Sequence, residues 1–193
     1  MIYLTFIICL LYGFLVLYLS KGIDHLKSED PDQNKPETSF TILVVFRNEA
    51  LALPGLLDSI NALDYPSEQF ELILINDESS DTSVSIVNLY KTKHPALNVR
   101  LIDSWKQSAS PKKDAINQGI DLASFDWIVT TDADCIVPES WLRAFDTMIR
   151  QKSPEMMVAP VSYLPQPGFL HKFQLLDFLS LQGITMGSFG MKE

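Results

Sequence analysis

Positive charge is scarce in this chain, and none of it lies at the start. Lys and Arg total 15 against 24 Asp and Glu, giving a net charge of −9. A general nucleic-acid binder carries a basic surface, so no nucleic-acid partner is expected. A nucleotide held through a metal ion stays compatible with that balance. Cysteine is nearly absent: Cys9 and Cys135 are the 2 in the chain. They provide neither a disulfide framework nor zinc-site spacing. No internal repeat or low-complexity tract interrupts the chain. Hydrophobic residues still make up 47% of the 193 positions, enough for the core of one ordinary domain.

Charge is missing altogether from Met1 to Ser20. At about 1.5 Å per helical residue, such a run spans roughly 30 Å, the thickness of a bilayer's hydrocarbon core. Tyr3 and Tyr18 stand near its ends, where interfacial aromatics belong. A cleaved signal peptide needs a basic start, a shorter apolar core and a small-residue exit. Tyr18-Leu19-Ser20-Lys21-Gly22 is a poor exit. Residues 1–20 are therefore expected to form an uncleaved transmembrane helix. Lys21 and Lys27 follow it and no basic residue precedes it. The positive-inside rule then puts the remainder in the cytoplasm, making the chain a single-pass protein of the inner or plasma membrane.

Residues 21–38 are polar, contain Pro31 and Pro36, and read as a juxtamembrane linker. From Phe40 the pattern changes. Phe40–Phe46 is apolar without clean alternation, as in a strand covered on both faces. Leu53, Leu56, Leu57 and Ile60 recur at helical spacing within residues 50–61. Phe70–Asn76 forms a second strand, and Asp81 or Thr82 can cap a helix over Ser83–Lys93. Val99–Asp103, Lys112–Leu122, Trp127–Thr131 and a helix from about Pro138 to Lys152 continue the alternation. Met156–Ala159 is expected to be a fifth strand. Repeated strand–helix alternation predicts an α/β fold with a mostly parallel sheet and flanking helices. Residues 161–193 form an apolar segment interrupted by His171, Lys172 and Asp177. Phe169, Phe173, Leu176 and Leu179 share a helical face there. That face suits packing on the domain or lying at a membrane surface.

Strand ends carry the chemistry. Trp127–Thr131 runs into Asp132-Ala133-Asp134, and ligands of open α/β sheets bind at the carboxyl ends of strands. Alternate residues of an extended strand point the same way, so both carboxylates could face one spot. A divalent cation with open positions would let such a pair hold a diphosphate. A strand end followed by a turn accounts for two aspartates as well, since Asp favours turns. Further polar clusters are Arg47-Asn48-Glu49, Asn76-Asp77-Glu78-Ser79-Ser80-Asp81, and Pro111-Lys112-Lys113-Asp114 opening a helix.

As a set, in this order and spacing, these pieces resemble the family 2 glycosyltransferases, over about Ser39 to Ala159. The resemblance implies the GT-A, Rossmann-like fold over residues 39–160. It also implies a nucleotide-sugar donor, a UDP-sugar, and a glycolipid or polysaccharide acceptor. Asp77 stands where the family binds uracil, Glu49 where it contacts the nucleoside, and Lys112, or Lys113 in a shifted register, at its basic position near the nucleotide. Asp132 and Asp134 stand where it holds Mg²⁺ or Mn²⁺ on the diphosphate, with Asp132 also facing the donor. Phe46, Asn76 and Pro111 replace the family's frequent Pro, Asp and Gly. The inverting reaction also needs a base to deprotonate the acceptor, and the family's base motif is not found before Glu193. The expectation is thus the donor-binding half of such an enzyme, with a non-catalytic nucleotide-binding or interaction protein as the alternative. A phosphatase-type Asp-x-Asp would want a hydroxyl residue soon after the pair, where Cys135 and Ile136 stand.

Overall fold

The computed structural model describes residues 2–26, 31, 34–105, 107–164 and 166–191. Lys27, one of the two lysines behind the orientation argument, lies outside the described residues. The chain divides into two compact units, Asp30–Pro154 and a second made of Met1–Glu29 with Glu155–Glu193.

In Asp30–Pro154, β1 (Phe40–Phe46), β2 (Phe70–Asn76), β3 (Val99–Asp103) and β4 (Trp127–Asp132) form a four-stranded sheet in the order β3-β2-β1-β4. Every pairing is parallel. The helices are α2 (Leu53–Asn61), α3 (Ser83–Lys93), α4 (Pro111–Asp121) and α5 (Trp141–Lys152). The unbroken apolar runs of β1 and β2 follow from cover on both faces. Ile42, Val44, Leu72 and Leu74 pack in one cluster with Leu53, Leu56, Leu57 and Ile60 of α2, Val87 of α3 and Leu142 of α5. Leu43, Ile73 and Ile75 point the other way and pack with Ala115 of α4. Each such side chain is worth about 1.5–3 kcal/mol when taken from water. Gly119 lets α4 lie against the sheet: a Cβ there would come within 2.8 Å of Ile75 Cδ1 and 3.0 Å of Leu43 Cδ2.

Of the buried charged side chains, Glu71 and Asp146 each tie separate segments together. Glu71, 1% exposed, accepts from Thr41 Oγ1 at 2.8 Å and Ser124 Oγ at 3.1 Å. Asp146 of α5 accepts the Glu37 and Thr38 N–H groups at 3.1 and 2.9 Å and Arg150 Nε at 3.0 Å. Burial pushes the Asp146 carboxyl up, but those hydrogen bonds outweigh it and hold it below its ordinary range.

The expected fifth strand is absent: Met156–Ala159 has no strand structure. Pro154 and Pro160 bracket the segment and cannot donate to a ladder. Met156 and Val158 are also 73% and 62% exposed, so no burial fixes an extended register. Helix α2 also starts later than its apolar spacing implied. Residues 50–52 form a turn in which the Ala52 and Leu53 N–H groups donate to Glu49 O at 3.1 and 3.0 Å.

The other unit contains α1 (Ile2–His25) and α6 (Phe169–Gly190). By length and composition α1 can cross a membrane, a test that a signal sequence near the N-terminus also passes. α6 packs against it through glycine: a Cβ on Gly22 would overlap the Gly187 carbonyl, and one on Gly190 would overlap Gly22. Exposed apolar side chains on α6 extend beyond the Phe169, Phe173 and Leu176 line to Leu170, Leu181 and Phe189. A single amphipathic stripe therefore does not describe this helix.

Candidate functional site

Chain order runs outward from β1 to β2 and β3, then returns to the other side of β1 for β4. The reversal lies between β1 and β4, and such switch points are where open α/β sheets bind ligands. The register brings the strand ends level: Phe46 pairs with Asn76, and Val45 with Asp132. Beyond those ends opens a cleft of about 320 Å³, lined by Arg47, Glu49, Asp77, Lys112, Asp132 and Asp134 among others. All five residues singled out for donor and metal binding line this one cleft. Lys113 does not line it.

Asp132 and Asp134 reach it by a different route from the one expected. β4 ends at Asp132, and Cys135 N donates to Asp132 O at 3.2 Å, closing a tight turn. Ala133 between them is 4% exposed and anchored in the core. The turn, not strand alternation, brings both carboxylates to the cleft.

Asp77 follows β2, where its N–H donates to Phe46 O at 2.9 Å. Its Oδ1 accepts Ser104 Oγ at 3.0 Å. Ser104 is held in turn by its own N–H donating to Asn76 O at 2.9 Å. The departure at Asn76 has a local cause: its Nδ2 donates to Asp103 Oδ1 at 2.8 Å. An aspartate at that position would put two carboxylates together.

The loops after β1 and β2 are stitched to each other. Asn48 N donates to Ser79 Oγ at 3.0 Å, and Asn48 Oδ1 accepts Ser80 N at 2.8 Å. Glu49 N donates to Ser83 Oγ at 2.9 Å and Ala50 N to Asp81 Oδ2 at 3.2 Å. Hydrogen bonds from Ser83 and Ala50 hold the Asp81 carboxyl below its ordinary range. Thr82 occupies the N-cap of α3 without a side-chain bond. Asp81 does that work, accepting Ser83 N at 2.9 Å. Asn48 and Glu78 have φ of 56° and 57°, a conformation Asn tolerates and Glu rarely adopts. Sequence reasoning placed Asn48 and Ser79 in polar clusters without a role for either, and missed Ser83 and Ser104. Each is a small polar residue beside a strand end, a signal too common to single them out.

Lys112 sits in the first turn of α4 with Nζ 2.6 Å from Asp132 Oδ1. Asp114 fixes the loop ahead of that helix by accepting Gln107 N at 2.9 Å, Ser108 N at 2.7 Å and Ser108 Oγ at 2.8 Å. Those bonds hold its carboxyl below the ordinary range.

Among the described residues no group of three or more His, Cys, Asp or Glu side chains could hold a metal. Two carboxylates in an open cleft suit a hard cation that completes its shell with phosphate oxygens and water. A larger hollow of about 450 Å³, lined in part by Glu37, Thr38, Ser124 and Arg150, lies at the opposite ends of the strands. Its Glu37 and Thr38 N–H groups are spent on Asp146, and Ser124 is spent on Glu71.

Residues 41–169 match Glycosyl transferase family 2, and the chain belongs to that family. It is 30% identical over 176 residues to the poly-beta-1,6-N-acetyl-D-glucosamine synthase of Staphylococcus aureus (strain COL), covering 89% of this chain and 40% of that protein. The Staphylococcus epidermidis synthase of the same name is 30% identical over 99 residues, 51% of this chain and 22% of that one. Among solved structures, the mannosyltransferase PcManGT of Pyrobaculum calidifontis, in complex with GDP-Man and Mn²⁺, superposes with a TM-score of 0.61 at 26% identity. It covers 73% of this chain and 41% of that one. S. aureus TarS 1-349 in complex with UDP-GlcNAc shares the fold, with a TM-score of 0.54 at 21% identity over 65% of this chain and 38% of that one. The fold is of the GT-A type, with a parallel sheet, flanking helices and an N-terminal apolar helix. This chain spans about 40% of the length of the S. aureus synthase.

Proposed function

We propose that the cleft at the β1–β4 switch point binds a nucleotide-sugar donor, a UDP-sugar, with Mg²⁺ or Mn²⁺. The sugar goes to a glycolipid or polysaccharide acceptor, with inversion, at the cytoplasmic face of a membrane in which residues 1–20 are an anchor. The observation that carries this reading is the convergence of Glu49, Asp77, Lys112, Asp132 and Asp134 on one cleft. The name of the S. aureus relative supports a polysaccharide product with N-acetylglucosamine as the sugar, and the Mn²⁺ of the P. calidifontis complex supports the metal.

In this assignment Asp77 accepts the uracil ring N–H. Ser104 occupies one of its oxygens and so orients the other. Glu49 is held at the nucleoside by the stitched loops. Asp132 and Asp134 would hold the cation, which supplies positive charge to the leaving diphosphate. The cleft's lining carboxylates are Glu49, Asp77, Asp132 and Asp134. All four serve the donor, so deprotonation of the acceptor is assigned to none of them. That observation favours, as the second reading, donor binding without turnover by these residues alone.

Base selectivity tests the assignment. UDP should bind more tightly than CDP, because a ligand lacking the ring N–H leaves the Asp77 carboxylate unpaired. Asp77→Ala should narrow the gap, and Ser104→Ala should narrow it less. GDP binding most tightly would overturn the donor class, the P. calidifontis complex being the precedent for that outcome.

A further inference from the structure

Lys112 Nζ and Asp132 Oδ1 form an ion pair at 2.6 Å, with their side chains 63% and 60% exposed. Asp132 is also one of the two carboxylates proposed to hold the cation, and an ammonium already neutralising that carboxylate opposes a second positive charge brought to it. The lysine is held from behind. Pro111 presets the first turn of α4, Asp114 ties down the loop before it, and Gly119 seats the helix on the sheet. Nζ therefore stays near the cleft while its long stem lets it swing. Resting on the donor-binding assignment above, we propose that Lys112 is an exchangeable counter-ion. Without donor it neutralises Asp132 and competes with the divalent cation. When a nucleoside diphosphate enters, the ammonium transfers to the phosphate oxygens and releases Asp132 to the metal.

Metal and nucleotide then favour each other beyond their direct contact, because the diphosphate removes the metal's competitor. By linkage the metal must favour the nucleotide by the same factor. The exchange also limits metal uptake by an empty site. Lys112 thus has opposite effects on the two ligands taken singly: it opposes the cation and assists the diphosphate. Loss of local structure would weaken both.

The test uses the full chain in detergent or nanodiscs. Mn²⁺ binding is followed through the free-ion electron paramagnetic resonance signal, with and without UDP, and UDP binding without metal by calorimetry. Lys112→Met should bind Mn²⁺ alone about two- to fivefold more tightly, the range expected for an exposed ion pair. It should bind UDP alone more weakly, and the mutual enhancement should shrink. Lys112→Arg, which keeps the charge, should leave Mn²⁺ affinity near that of the unaltered chain. In an Asp132→Asn background, Lys112→Met should no longer tighten Mn²⁺ binding, because the competition runs through that carboxylate. Unchanged or weaker Mn²⁺ binding by Lys112→Met, with metal-assisted UDP binding intact in the unaltered chain, overturns the exchange and leaves the donor assignment standing. Absence of metal-assisted UDP binding in the unaltered chain overturns both.

Discussion

β1 and α1 are both apolar runs, and the structure treats them in opposite ways. In β1, Phe40, Ile42 and Val44 are fully buried. In α1, Ile2, Phe6, Leu11 and Phe14 are between 64% and 84% exposed. Apolar character alone does not make a core; what covers the run decides. β1 lies at the centre of a sheet clothed by helices, where packing excludes water. α1 is long enough to be solvated by lipid instead, and its close contact is made by glycine. Small residues let membrane helices approach where burial of apolar area gives no advantage.

Charge placed in each region should separate these two kinds of stability. Leu10→Lys with Leu11→Lys puts two cations at the centre of α1, each costing about 2.5–3.5 kcal/mol of membrane insertion. Alkaline carbonate extraction should then release the chain, while UDP binding by the recovered protein is retained. Release of the unaltered chain under the same treatment would remove the membrane assignment.

Gly119→Ala attacks the sheet region. The added methyl meets Ile75 and Leu43, and overpacking of this kind costs about 1–3 kcal/mol. Thermal unfolding of the Asp30–Pro154 unit should shift down by several degrees, and UDP affinity should fall because α4 carries Lys112. Gly187→Ala should disturb the α1–α6 contact and leave that transition in place. If both substitutions shift the same transition equally, the two units are not energetically separate.

The smallest effect is pH-dependent. Asp146 titrates below its ordinary value in the folded state. Its stabilisation is therefore fully present above the unfolded pKa, near 3.9, and is lost as pH falls through the folded value. Asp146→Asn leaves the Glu37 and Thr38 N–H groups with a weaker acceptor. It should lower stability at neutral pH by about 1–2 kcal/mol. Urea unfolding midpoints should also fall less steeply between pH 5 and 3 than those of the unaltered chain. Parallel curves would show that Asp146 is not part of the acid response.

Most of the sheet was legible because its two central strands are apolar on both faces and each is followed by polar residues. α2 was legible from the helical spacing of Leu53, Leu56, Leu57 and Ile60, the four residues it buries. Met156–Ala159 misled because β-branching and apolarity describe a strand only when a partner and cover exist. Asp132 and Asp134 were assigned to one place by strand alternation. They share the cleft because a turn anchored by Ala133 puts them there. The hydrogen bonds made by Asn48, Ser79, Ser83 and Ser104 across these loops join residues 27–34 positions apart. No local pattern encodes such pairs, yet they hold Glu49 and Asp77 at the cleft.

The central claim is that Asp132 and Asp134 bind the donor's diphosphate through a metal. The direct measurement is calorimetry of UDP with Mn²⁺, and again with chelator, on the full chain and on Asp134→Ala. The account predicts strong weakening of UDP by chelator and loss of most of the metal-dependent part in Asp134→Ala. Equal UDP affinity with and without metal would contradict it.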